Sequence, residues 1–133
     1  MAGGGAALLH AAKALDEFRG ANADENVGAK LVRTVLTAPI RQIAENAGKN
    51  GEVVVTEVSK GKADTFGYDA LNDEYVDMFE AGIVDPKMVT RSALENAVSV
   101  AGTVLTTGAT VTDIPEAKAE GGMPGMPGMG DMM

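Results

Sequence analysis

The sequence predicts a mainly α fold that carries a small β-hairpin and a single C-terminal edge strand. Three observations lead there. The chain has 133 residues of which 45% are hydrophobic, enough for one modest core and too little to argue for two. Aromatic residues make up only 4% and tryptophan is absent, so the core must be built from Ala, Val, Leu and Ile, which suits closely packed helices. Finally, apolar residues recur at helical spacing behind Gly and Pro punctuation. The best-marked case is Asp85-Pro86, where Asp85 reads as an N-cap, Pro86 as the first helical residue, and Val89, Ala93, Ala97 and Ala101 as one face.

Along the chain, Leu8, Ala11, Ala12, Leu15 and Phe18 form a helical stripe over Ala6 to Phe18, and Gly20 follows as a stop. Asn22 or Asp24 can cap a second helix. Glu25 lies three residues after Asn22, a capping-box spacing, and Val27, Leu31 and Val35 follow at steps of four before Pro39. Pro39 opens a third, short helix with Ile40, Ile43, Ala44 and Ala47 inward, closed by Gly48. Glu52 to Lys60 reads both ways: Val53-Val54-Val55 favours a strand, while Val54, Val55 and Val58 also make a helical patch.

Phe66-Gly67-Tyr68 reads as a short strand that pairs with Ile83-Val84 across a helix from about Asn72 to Ala81. Beyond the long helix, Gly108 breaks the pattern. Thr110 to Ile114 then alternates as an edge strand halted by Pro115, which needs a partner outside itself. Residues 1–115 are expected to form the folded unit and 116–133 a disordered Gly/Met-rich tail, because its glycines and prolines make ordering too costly.

The formal net charge of −8 argues against a nucleic-acid partner, which would require clustered Lys and Arg. Cysteine is absent, which removes disulfides and thiolate chemistry and suits a reducing, cytoplasmic setting. The apolar start, Ala6 to Leu9, is far shorter than the roughly 20 residues of a membrane helix, and no basic segment precedes it. Neither a signal peptide nor a membrane anchor is expected.

Residues with chemical potential are few. Gly3-Gly4-Gly5 can bring backbone N–H groups close to a phosphate or nucleotide, although an isolated triplet reads first as a tight turn. His10 is the only histidine and has no Ser or Cys beside it, so it reads as a packing or surface residue. Asp73 with Glu74, and Glu116 with Glu120, read as solvated acidic faces, and no protein metal site is expected.

Taken in order, Ala2-Gly3-Gly4-Gly5, Ala38-Pro39-Ile40-Arg41-Gln42-Ile43-Ala44, Asn46-Ala47-Gly48, Gly67-Tyr68-Asp69-Ala70, Asp85-Pro86, Val89-Thr90-Arg91-Ser92-Ala93-Leu94 and the Gly-Met tail closely resemble the group I chaperonins, the GroEL family. The resemblance spans the chain and corresponds to the C-terminal half of the equatorial domain. It implies a helical-bundle fold, and it turns the reading of Glu52 to Lys60 to helix. It also implies an ATP site. Gly4 would lie against the nucleotide, the turn Asp69, Ala70 and Leu71 against adenine, Ile83 on the base, and Asp85 at the ribose hydroxyls. Many members have Asn-Ala-Ala at that turn.

By the same resemblance the phosphate-binding Asp-Gly-Thr-Thr-Thr loop, the catalytic aspartate, the Mg2+ ligand and the apical domain all lie outside this sequence. The implied function is that of a fragment of an ATP-dependent protein-folding chaperonin. Its partners would be other subunits of heptameric rings, a co-chaperonin and unfolded clients. The alternative is a truncated, nonenzymatic module that packs on intact chaperonin or has no independent function.

Overall fold

In the computed structural model, which describes residues 1–112, five α-helices and one two-stranded antiparallel sheet follow in the order α1 (Ala6–Ala11), α2 (Ala23–Val35), α3 (Ala38–Asn46), α4 (Gly51–Lys60), β1 (Phe66–Asp69), β2 (Glu74–Asp77) and α5 (Lys87–Leu105). The mainly α expectation with a small hairpin holds.

The first helix is shorter than its pattern suggests. After Ala11 the chain tightens into a 3-10 turn over Ala12–Leu15. Ala6, Leu9, His10 and Ala12 are buried, whereas Leu8 and Leu15 are half-buried and Ala11 and Phe18 are exposed. Alanine and leucine occur on every side of this segment, so no single stripe is specified, and the change to about three residues per turn rotates the later residues off the core.

The α2 start follows the predicted chemistry. Asn22 Oδ1 accepts the Glu25 N–H at 2.9 Å, and Glu25 Oε2 reaches back to the Ala21 N–H at 2.7 Å. Even so, no residue of α2 is buried, and Val27, Leu31 and Val35 face outward. In α3, Pro39 sits in the first turn, and Ile40 and Ala44 are fully enclosed. Ala47, expected inward, is exposed beyond the helix end. Gly48 (φ +75°) donates to Glu45 O at 2.9 Å and Lys49 donates to Ala44 O at 2.9 Å, a Schellman closure.

Asn50 Oδ1 then caps α4 by accepting the Glu52 and Val53 N–H groups at 3.0 and 3.3 Å. Val54, Val55 and Val58 are the buried residues, so a local cap and a helical burial pattern outweigh the strand preference of three consecutive valines.

The hairpin departs from the sequence reading. No helix spans Asn72 to Ala81; that stretch supplies β2 instead, with Tyr68 opposite Tyr75 and Phe66 opposite Asp77. Two aspartates decide the outcome, since Asp69 Oδ1 accepts the Leu71 N–H and Asp77 Oδ1 accepts the Phe79 N–H, both at 2.9 Å. Such local side-chain bonds turn the backbone and compete with helix formation. Ile83-Val84 pairs with the N-terminus rather than with β1: Ala2 bridges Val84, and Gly3 N–H donates to Ile83 O at 3.0 Å.

Asp85 is not the cap of α5. The N-cap residue is Pro86, still extended at ψ 119°, and no side chain caps the helix. Asp85 is held through its backbone, its N–H donating to Met1 O and its carbonyl accepting the Met1 ammonium, both at 3.0 Å. No residue of α5 is buried, and Val89, Ala93, Ala97 and Ala101 are all exposed. Residues 110–112 form no strand; the rest of the predicted edge strand and the Gly/Met tail lie outside the described residues.

The core therefore belongs to the remaining elements. Leu9, Ile40, Ala44, Val54, Val55, Val58 and Tyr68 make one cluster, with Phe66 and Ala70 against it. Ala2, Ala6 and Met78 make a second, with Ala7, Val76 and Ile83 against it.

Candidate functional site

The glycine triplet is a real structural device. Gly4 (φ +62°) and Gly5 (φ +77°) both occupy left-handed backbone that side chains disfavour. A Cβ on Gly5 would lie 2.7 Å from the Ile40 nitrogen, so the turn also lets the chain approach the start of α3. On one side Gly3 is bonded to Ile83. On the other, the Tyr68 carbonyl lies 3.6 Å from the position a Gly4 Cβ would take, with the Met78 methyl at 3.0 Å.

This turn brings Gly4 between the Ile83 segment and the end of β1, where Asp69 and Ala70 follow directly. Asp85 joins through Met1, the residue that leads into the same turn. Ala70 packs on the first core cluster, while Leu71 is 91% exposed and stands away from it. The N-terminal segment thus joins Gly4, Ile83 and Asp85, with Tyr68, the residue before Asp69, near Gly4, while Leu71 projects into solvent. Cavities of about 140 to 400 Å3 open elsewhere, lined by other residues.

Asp69 is buried at 8% exposure, and its carboxylate is already engaged. Oδ1 accepts the Leu71 and Asn72 N–H groups, and Oδ2 accepts Asn72 Nδ2 at 2.7 Å. The Asn72 amide, then the Leu71 N–H, holds its pKa below the usual carboxylate value. An ionised carboxylate offers about four acceptor positions, so three partners leave room for one more donor, such as an exocyclic amine.

Sequence reasoning missed a second carboxylate at the far end of the hairpin turn. Asp73 has φ 59°, unusual for a residue with a side chain, and accepts the Tyr68 hydroxyl at 2.8 Å on Oδ1 and the Lys49 ammonium on Oδ2. The Lys49 bond first, then Tyr68, holds the Asp73 pKa below its ordinary value, while burial, reinforced by Asp73, pushes Tyr68 up to about 12. An Asp flanked by Asn72 before a β-rich Tyr75-Val76 pair was the available signal, since Asp tolerates left-handed turns better than most residues. His10 is a packing residue: at 6% exposure its Nε2 lies 2.7 Å from Phe66 O, joining α1 to β1.

The chain belongs to the TCP-1/cpn60 chaperonin family, which it matches over residues 1–115. Among solved structures it is similar to the open-state monomer of a group II chaperonin from Methanococcoides burtonii, with a TM-score of 0.72 at 19% identity over 80% of this chain. It is also similar to a group III chaperonin in the open state, with a TM-score of 0.72 at 28% identity over 84% of this chain. The chain spans only 28% and 24% of the lengths of those two proteins. Its mostly helical fold with one two-stranded sheet is that of chaperonin equatorial domains.

Proposed function

We propose that this chain is the C-terminal half of the equatorial domain of a group I chaperonin subunit, contributing adenosine-binding and ring-assembly elements to an ATP-dependent protein-folding machine of the cytoplasm. Bound ATP supplies the phosphoryl group whose transfer to water drives such a machine. The observation that carries the nucleotide reading is the glycine turn, which places the half-exposed Gly4 peptide between Ile83 and the Tyr68–Asp69 end of β1. In this arrangement the Gly4 backbone approaches the nucleotide, Ala70 and Ile83 offer apolar surface to the base, Asp69 keeps one acceptor position for the adenine amine, and the Asp85 carboxylate takes the ribose hydroxyls. Leu71 borders the base only through its backbone.

The partners in this reading are other chaperonin subunits, with a co-chaperonin and unfolded clients engaged by domains beyond this sequence. The exposed faces of α2 and α5 favour the related reading that the chain packs onto further chaperonin elements.

The test is amide NMR of the 133-residue chain titrated with ADP and with GDP. Weak binding that prefers ADP and shifts the Gly4, Ala70 and Ile83 amides is the expected result, lost in Gly4→Val, whose Cβ would crowd the Met78 methyl in a left-handed conformation. Absence of any shift, or equal response to both nucleotides, overturns the adenosine reading. Phosphate release from ATP should stay at background, because no group assigned here positions a water or holds Mg2+ on the triphosphate.

A further inference from the structure

We infer that Asp73, with Tyr68 and Lys49, is a positioning device for the adenine-facing turn, setting nucleotide selectivity without touching the ligand. The inference rests on the adenosine reading above and names what holds that turn in place.

The turn joining β1 to β2 consists of Ala70, Leu71, Asn72 and Asp73. Ala70 packs on the first core cluster, but Leu71 is 91% exposed and has little side-chain support. The rest of the turn is fixed by a carboxylate at each end. Asp69 draws the Leu71 and Asn72 amides inward at the entry. At the exit Asp73 reverses the chain at φ 59°, a conformation that persists only when surrounding bonds enforce it.

Those bonds come from the rigid core. Tyr68 is 2% exposed, sits in the first core cluster and tilts against Tyr75 with ring centroids 5.3 Å apart. Its hydroxyl donates to Asp73 Oδ1 at 2.8 Å, while its carbonyl faces Gly4. One residue thus lies beside the glycine turn with its backbone carbonyl and bonds the exit of the adenine turn with its side chain. Lys49 reaches the other oxygen of Asp73 from the corner between α3 and α4, a corner fixed by Gly48 on one side and the Asn50 cap on the other. Lys49, Asp73, Tyr68 and Tyr75 surround a cavity of about 140 Å3, so the three polar groups meet in a partly enclosed space. A shift of the α3–α4 corner would pass through Lys49 and Asp73 to the turn.

The experiment compares ADP and GDP affinities of the full chain with those of Asp73→Gly and Tyr68→Phe, by amide NMR titration. Glycine accepts the left-handed backbone freely, so Asp73→Gly removes the carboxylate without adding strain, and Tyr68→Phe removes only the hydroxyl. Both variants should lose the preference for ADP over GDP by about three- to tenfold, the worth of one net hydrogen bond. Asp73→Asn, which keeps an acceptor for Tyr68 and tolerates the same backbone, should restore at least half of the preference. A purely structural role would weaken both nucleotides equally through the folded fraction and leave the ratio unchanged. A wild-type chain with no ADP preference overturns the adenosine reading and this inference together. A wild-type preference that survives unchanged in Asp73→Gly and Tyr68→Phe overturns this inference alone.

Discussion

Two groups of elements in this chain differ sharply in how they are held. In α1, α3, α4 and directly after the hairpin, Ala6, Ile40, Ala44, Val58 and Met78 are completely enclosed. In α2 and α5, 13 and 19 residues long, nothing is buried. The difference does not lie in helix chemistry, since α2 has a side-chain N-cap as α4 does and α5 is the longest helix among the described residues. Helix formation is specified locally by caps and spacing, whereas burial requires a facing surface. Most helical stability in proteins comes from packing an apolar face, and with Val27, Leu31, Val89 and Val100 exposed α2 and α5 receive little of it.

The sharpest way to break that comparison is to truncate one residue from each group. Ile40→Ala removes a fully enclosed side chain beside the glycine turn and should lower stability by about 2–5 kcal/mol, enough to abolish cooperative unfolding of so small a core. Leu31→Ala, at a side chain 60% exposed, should change stability by no more than about 0.5 kcal/mol. Urea titration followed by circular dichroism measures both. The same Leu31→Ala variant should bind less of a dye that reports exposed apolar surface. If the two substitutions have equal effects on stability, α2 packs in solution in a way the described contacts do not include.

Some of this division was legible in the sequence. Asn22 with Glu25, and Gly48, act within a few residues of themselves, so their roles followed from spacing alone. The stripe in α1 and the inward face assigned to α5 did not follow, because alanine-rich segments carry weak directional information and no sequence states which face will meet another element. The hairpin was misassigned for a different reason. Residues 72–81 contain helix-compatible spacing, but the side chains of Asp69 and Asp77 bond to amides two residues ahead and turn the chain instead. The site depended on resemblance, since Gly4, Ile83 and Asp85 come together only through the pairing of the N-terminus with Ile83–Val84. Asp73 was read as a solvated acid because its partner Lys49 lies on another element.

Acid should sharpen the comparison by loosening the hairpin. Asp69, Asp73 and Asp77 each titrate below the ordinary carboxylate value: Asp69 chiefly through Asn72, Asp73 through Lys49, and Asp77 through Thr65. Each binds fewer protons folded than unfolded near that value, so the stabilisation is fully present above about pH 4 and is lost as pH falls through the folded values. Tyr68 runs the other way. Its neutral form is favoured by folding, so its contribution is intact below about pH 10 and disappears as pH rises toward its folded value of about 12. Acid titration by NMR should show the Leu71, Asn72, Phe79 and Glu80 amides moving together below pH 4. Ultraviolet titration should find Tyr68 ionising only near pH 12. Ordinary titration of Tyr68 would mean that neither its burial nor its bond to Asp73 persists in solution.

The smallest stability effect is expected at Asp85, and it separates binding from folding. A carboxylate that capped α5 would contribute about 1 kcal/mol, and its loss in Asp85→Ala would shorten the helix. Here the contacts of Asp85 are made by its backbone, which alanine keeps: the N–H bond to Met1 O and the carbonyl bond to the Met1 ammonium. Asp85→Ala should therefore leave the unfolding midpoint nearly unchanged, with a stability difference below about 0.5 kcal/mol, while reducing whatever adenosine affinity the chain has. Loss of stability with unchanged affinity would restore the capping role that the Asp85-Pro86 sequence suggests. Loss of affinity alone would show that the residue beside the best-marked helix start serves the ligand, while α5 begins after an extended Pro86 without a side-chain cap.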